Sequence, residues 1–178
     1  MTKTTLKTDS HGWTYRYYSQ KTQVTCGPAC CLMMWANVNG ADPIADEGGV
    51  IALSQKHPKP WNAKTGAEIN NLSRVLAAMG VANEVATFKE PRPFRTALHN
   101  KVQQKKPALA FAEWEVDAAV KGHFVVVGYA DSAVDKFTIL DPTFGMHEIN
   151  GMPAYYPVIK GDDTDPVLRF TGAVIFVK

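Results

Sequence analysis

Two kinds of patterning divide this chain, and their order limits what it can fold into. Up to about residue 105, apolar residues recur at helical spacing; from 107 onward they fall in short strand-like blocks. Helices first and strands later is the α+β order, and it argues against βαβ alternation. A length of 178 residues suffices for one domain with a sizeable core and is short for two. Residues 1–178 are therefore expected to form a single domain, helical over about 20–105 and sheet-forming over about 106–178.

"WTYRYYSQ" (13–20) reads as an extended opening segment, and the apolar stretch from Cys26 to about Val38 suits a helix stopped by Asn39-Gly40. A short helix is expected near 43–55, and the prolines of "HPKPWN" (57–62) require a loop. "TGAEINNLSRVLAAMG" predicts a helix opened by a Thr65/Glu68 capping box. Ile69, Leu72, Leu76 and Met79 share one face of it, and Gly80 stops it. "NEVATF" predicts a strand, and "PFRTALHNKVQQ" a helix with Phe94, Leu98 and Val102 inward. "PALAFAEW", "HFVVVGYA", "KFTILD", "MHEIN" and "VLRFTGAVIFVK" all predict strands, with "ADSAVD" and "DPTFG" as turns.

Charge excludes several partners. The formal balance is +2, from 19 basic and 17 acidic residues, so neither nucleic acid nor an anionic membrane is expected. No apolar stretch is long enough to cross a bilayer, and "MTKTTLKTDSHGW" lacks the apolar core of a secretory signal. A soluble chain is expected, and any export would proceed without a cleavable signal peptide.

Cys26, Cys30 and Cys31 are the only cysteines. A disulfide scaffold would spread an even number along the chain. A zinc site would need a second Cys/His cluster, whereas His11, His57, His99 and His147 are scattered among polar residues and read as surface side chains. Reduced thiols and no cofactor are the expectation. Gly27 and Pro28 mark a helix start, since proline suits the first turn. Cys26 then lies at the positive end of the helix dipole, which favours its thiolate. Cys30 and Cys31, beside Leu32, Met33 and Met34, read as buried core.

A thiolate nucleophile needs a base, and the base needs an orienting group. His123 sits on a predicted strand, and Asp141 ends the next one. If the turn centres near Ala133, paired residue numbers sum to about 266. His123 and Asp141 are then diagonal neighbours on one face, with β-carbons about 7 Å apart or less. A one-residue slip would put them on opposite faces. Asp131 and Asp135 lie in the turn and are expected to solvate it. An oxyanion donor could come from Gln20 or Gln23, with the backbone N–H of Cys26.

Together these residues resemble the papain-like cysteine peptidases. "Q-x5-C-G-P-A-C" has the spacing of their oxyanion glutamine to nucleophile, which favours Gln20 over Gln23. "GHFVVVGY" followed by "ILDPTFG" resembles the bacterial branch that cleaves after double glycine, including leader-peptidase domains of bacteriocin exporters. The resemblance runs from about residue 18 to 145. It implies a papain-like α+β fold, with the Cys on a helical lobe and the His and Asp on an antiparallel sheet lobe. It implies Cys26 as nucleophile, His123 as proton shuttle, Asp141 as its orienter and Gln20 in the oxyanion hole. The implied substrate is a protein or peptide cut after Gly-Gly in a narrow cleft. Candidates for its walls are Trp114, in the loop leading to His123, and Trp61, in the proline-rich loop.

The chain lacks the membrane spans and ATP-binding loop of the exporters, which favours a stand-alone peptidase. Such domains resemble toxins and effectors that bacteria inject into rivals or plant hosts. That likeness implies action in a reducing cytoplasm and a cognate immunity protein as partner. Three other functions fit parts of the pattern: a transglutaminase-like or other acyl transferase using the same triad, a catalytically dead binding module, and a redox or metal protein using Cys26 and Cys30.

Overall fold

The computed structural model describes residues 2–103, 105–116, 119–133, 135–150, 155–157 and 167–178. Helix α1 (Cys26–Asn39) is its centre. A helix that is apolar on every side has to be enclosed, and Ala29 through Met34 are fully buried. Gly40 closes it in the left-handed conformation, φ 65°, its N–H donating to Ala36 O at 2.8 Å. Helix α2 (Glu47–Ser54) is capped by Asp46, whose Oδ1 accepts from Gly49 N at 2.9 Å.

Helix α3 (Ile69–Ala78) starts later than the Thr65/Glu68 capping box predicts. Asn62 Oδ1 accepts from the N–H groups of Lys64 (2.8 Å) and Thr65 (3.0 Å), and Asn62 pairs with Gly66, so residues 62–66 form a tight turn instead. Glu68 becomes the N-cap residue without a side-chain cap bond, and its carboxylate meets Lys59 at 3.0 Å. Helix α4 (Pro91–Lys101) follows the expected bounds closely and turns Phe94 and Leu98 inward.

Among the described residues, the strands are β1 (Thr5–Thr8), β2 (Thr14–Tyr17), β3 (Asn83–Thr87), β4 (Ala108–Val116), β5 (Ala119–Asp131), β6 (Lys136–Asp141), β7 (Gly145–Asn150), β8 (Tyr155–Pro157) and β9 (Val167–Val177). Strands β1 and β8 are not expected from the sequence. β1 is exposed at every residue and carries no apolar alternation to signal it. β1 and β2 pair as a separate hairpin; the rest form one antiparallel sheet in the order β3-β9-β4-β5-β6-β7, with β8 also on β9.

Alternate residues of the long strands feed two cores. Phe124, Val126, Leu109 and Leu140 join α1 and α3 on one side. Val125, Val127, Ala110, Phe137 and Ile139 join Phe94 and Leu98 of α4 on the other. The architecture is mixed helix and antiparallel sheet, as the order of patterning predicts.

Candidate active site

Cys26 is the first residue of α1 and is 7% exposed. Its helix starts without a side-chain cap: Thr25, the N-cap residue, turns its hydroxyl back onto Thr22 O at 3.0 Å. Pro28 has no N–H to satisfy. The first amides of α1 therefore have no capping side chain among the described residues, at the positive end of the helix.

His123 lies on β5, 3% exposed, and Asp141 ends β6, fully buried. Around them Val126 pairs with Leu140 and Val127 with Ile139. This is the register at which the two residues share a face, and His123 Nε2 lies 3.0 Å from Asp141 Oδ1. The same oxygen accepts from Thr143 N at 2.8 Å and Phe144 N at 3.1 Å, an Asx turn that holds the carboxylate still.

With Nε2 on Asp141, Nδ1 is the ring nitrogen left for Cys26. Burial alone would push the imidazole pKa down. Hydrogen bonds to Asp141 and Cys26, and their negative charge, outweigh it and raise the pKa from 6.5 to about 10. The ring is thus a cation at neutral pH, held between a carboxylate and a sulfur.

Gln20 is drawn to the same place by backbone. Tyr17 OH donates to Asp141 O at 2.8 Å, and Gln20 N donates to Pro142 O at 2.9 Å, so residues 17–20 run alongside the end of β6. The half-buried Gln20 amide donates one hydrogen to Thr22 O at 2.7 Å and has a second to offer. Gln23 is exposed.

Trp114 lies not in the expected loop but on strand β4, opposite Lys121. The apolar β4 pattern continues past it to Val116, so the strand runs beyond the tryptophan. Its ring stacks on His123, with centroids 5.6 Å apart and planes 18° from parallel. Phe144 meets Trp114 edge-on at 5.6 Å and His123 at 6.3 Å. Sequence reasoning missed Phe144, although its place in the turn just after Asp141 was a signal. Trp61 is in its expected loop, and its Nε1 donates to Val24 O at 2.9 Å, two residues ahead of Cys26.

Cys30 and Cys31 are fully buried free thiols, as expected. Cys30 also donates to Phe124 O at 3.2 Å, next to His123. Burial raises its pKa well above the usual thiol value, with the charge of Cys26 adding to this, so it stays a thiol. His99 and Asp135 depart from the surface roles expected of them. The His99 side chain is 11% exposed, meets the Phe137 ring at a tilt of 37° with centroids 4.5 Å apart, and lies 3.0 Å from Asp135, which also pairs with Arg95. Among the described residues, no group of His, Cys, Asp and Glu side chains is arranged to hold a metal, and no helix is long and apolar enough to cross a membrane.

No family model and no curated protein sequence matches the chain. Solved structures do. The peptidase domain of Streptococcus ComA, a bifunctional ABC transporter involved in quorum sensing, matches with a TM-score of 0.58 at 17% identity, over 92% of this chain and 98% of that one. A double-glycine-motif protease from an AMS/PCAT transporter, solved in complex with a leader peptide, matches with a TM-score of 0.56 at 18% identity, over 92% and 91% of the two chains. At that identity the likeness is one of fold. The chain has the papain-like fold of double-glycine peptidase domains.

Proposed function

We propose that this chain is a cysteine peptidase that cuts peptide bonds through Cys26, His123 and Asp141. The observation that carries the proposal is the buried His123–Asp141 contact of 3.0 Å, which leaves Nδ1 of a cationic ring for a cysteine at a helix N-terminus.

In the proposed mechanism, the Cys26 sulfur attacks the substrate carbonyl carbon and the carbonyl oxygen becomes an oxyanion. The Cys26 N–H and the second Gln20 amide hydrogen receive that oxygen. His123 gives its Nδ1 proton to the leaving amine, and the C–N bond breaks to leave a thioester. The ring then takes a proton from water, hydroxide attacks the thioester, and the thiolate–imidazolium pair is restored. Asp141 keeps the ring oriented and charged through the cycle. No step calls on a metal or organic cofactor.

The proposed substrate is a protein or peptide cut after Gly-Gly, a reading supported by the fold likeness to a double-glycine-motif protease solved with a leader peptide. A narrow cleft is supported by the two indoles, Trp114 lying on His123 and Trp61 tied to Val24 just ahead of Cys26. Walls so close to the nucleophile would exclude a β-carbon, so selectivity would come from steric rejection. Mapping new protein termini in cells expressing the active chain beside a Cys26→Ala control tests the proposal. Cleavage after Gly-Gly pairs is expected in the active sample alone. Cuts after bulky or basic residues would refute the specificity, and equal cleavage in both samples would refute the nucleophile.

A further inference from the structure

Whether His123 and Asp141 can meet is decided in the β5–β6 ladder, several residues from either of them. Near the turn, Asp131 pairs with Lys136, Ala130 with Phe137 and Tyr129 with Thr138. Continued without interruption, that ladder would set Val126 opposite Asp141 and His123 opposite Phe144. The His123 and Asp141 side chains would then stand on opposite faces of the sheet. They share a face because β5 carries one extra residue. Val127 pairs with Ile139 and Tyr129 with Thr138, so Gly128 forms a bulge that shifts the alternation by one. The side chains record the shift: Val127 packs on the α4 side, whereas Tyr129, two positions on, packs on the α1 side.

The bulge is held from outside the sheet. A β-carbon on Gly128 would lie 2.7 Å from Cε1 of Tyr15 and 3.0 Å from its Cδ1, so that ring fills the space a side chain would need. The ring is itself fixed. Tyr15 is buried, and its hydroxyl donates to Asp9 Oδ2 at 2.7 Å. Thr138, opposite Tyr129 beside the bulge, donates to the same oxygen at 3.0 Å. The other Asp9 oxygen accepts from His11 N at 3.0 Å and Trp13 N at 2.9 Å. Asp9 and Tyr15 thus tie the β1–β2 hairpin to β6 at the point where β5 bulges.

We infer that the Gly128 bulge, braced by Tyr15, is a positioning element that brings His123 and Asp141 to one face of the sheet. The inference rests on the roles proposed for those two residues; neither Gly128 nor Tyr15 touches the reacting atoms. Its signature is unusual. Adding a methyl group at position 128 should be worse than removing the residue altogether. Gly128→Ala forces its β-carbon against an anchored ring, and the ladder can relieve this by giving up the bulge and slipping. Deleting Gly128 removes the surplus residue, and every pair from Asp131 back to Val126 can persist in an unbulged ladder.

Two measurements test it: titration of the His123 ring by NMR, assigned with His123→Ala, and the rate of Cys26 alkylation and peptide cleavage. Circular dichroism reports folding throughout. In folded Gly128→Ala, the ring pKa should fall from about 10 toward 6.5, and both rates should drop by about 100-fold or more. In the Gly128 deletion, the titration should stay raised and the rates remain within about threefold of the parent.

A folded Gly128→Ala chain with an unmoved titration would overturn the inference, as would a deletion chain that misfolds or loses the raised pKa. If Gly128→Ala does not fold, the deletion alone decides. The titration needs no peptidase activity. A parent chain that cleaves nothing would sink the peptidase proposal, and the NMR comparison would still judge the bulge.

Discussion

Replacing Asp141 with asparagine removes one charge and little else, and its effect can be worked from the contacts of that carboxylate. The amide oxygen of the new side chain can still accept from Thr143 N and Phe144 N, which Asp141 holds at 2.8 and 3.1 Å, so the turn should survive. Alanine there would leave the Thr143 and Phe144 N–H groups without their acceptor, loosen the turn and confuse folding with catalysis.

A hydrogen bond to a charged group is worth about 1.5–3 kcal/mol, which at about 1.36 kcal/mol per unit is roughly one to two pKa units. The sign is downward, because the cationic ring loses an anion. The His123 pKa should fall from about 10 to roughly 8 or 9. At pH 7 the ring keeps its proton, so the charge state changes little. What changes is the alkaline limb of the kcat/KM profile, which should move down by that roughly one to two units. The same energy lost from orientation slows cleavage by about 10- to 150-fold.

Stability provides a second check. Folded His123 holds its proton more tightly than an unfolded imidazole, so the proton stabilises the fold fully below pH about 6.5. That contribution is lost as pH rises through about 10. Asp141→Asn should therefore lower the melting temperature at pH 6 more than at pH 11. Peptide-cleavage profiles from pH 5 to 11, with melts at both ends, decide the matter. A folded variant whose alkaline limb stays in place would refute the view that Asp141 sets the charge on the ring.

Cys26→Ala and His123→Ala should each abolish cleavage while circular dichroism and melting show a folded chain; a folded Cys26→Ala protein that still cleaves would exclude Cys26 as nucleophile. Replacing Cys30 and Cys31 together with alanine should lower stability by about 1–3 kcal/mol, read by urea titration, through lost packing in the fully buried Ala29–Met34 stretch of α1. Cleavage should change far less than in Asp141→Asn, and activity lost at unchanged stability would reveal a chemical role for one of them. Gly172→Ala should be among the most damaging single changes to the fold. Its backbone sits at φ +85°, and a β-carbon would lie 2.1 Å from Phe88 O, so a loss of several kcal/mol is expected and a variant melting like the parent would refute the close approach.

The parts legible in the sequence were those governed by local pattern. The apolar run after Cys26 announced a buried helix, and "NG" marked its end. His123 and Asp141 could be paired because hairpin arithmetic needs only a turn centre. The arithmetic held for an unseen reason. The ladder near the turn is offset by one residue from the one assumed, and the Gly128 bulge restores it just before Val127. Nothing local in "VVVGYA" distinguishes a bulged glycine from an ordinary one; the difference is the Tyr15 ring, brought there by tertiary structure.

The Thr65 capping box failed for the opposite reason. Its pattern was local, but Asn62 offered the Thr65 and Lys64 amides a nearer acceptor. Trp114 was legible as an aromatic near the site but not as a ring stacked on His123, because that contact joins neighbouring strands through their side chains.

The separation of the three residues along the chain has a consequence for how activity arises. His123 and Asp141 are only 18 residues apart and belong to one hairpin, a contact that can form early. The Cys26 helix meets that hairpin across a long loop, as Cys30 and Phe124 illustrate, 94 residues apart. During synthesis Cys26 leaves the ribosome well before His123 does. On the proposed roles, activity would require the high-contact-order interface between α1 and the sheet to close. An opening that lifts α1 from the sheet would then abolish activity, even with the His123–Asp141 contact kept.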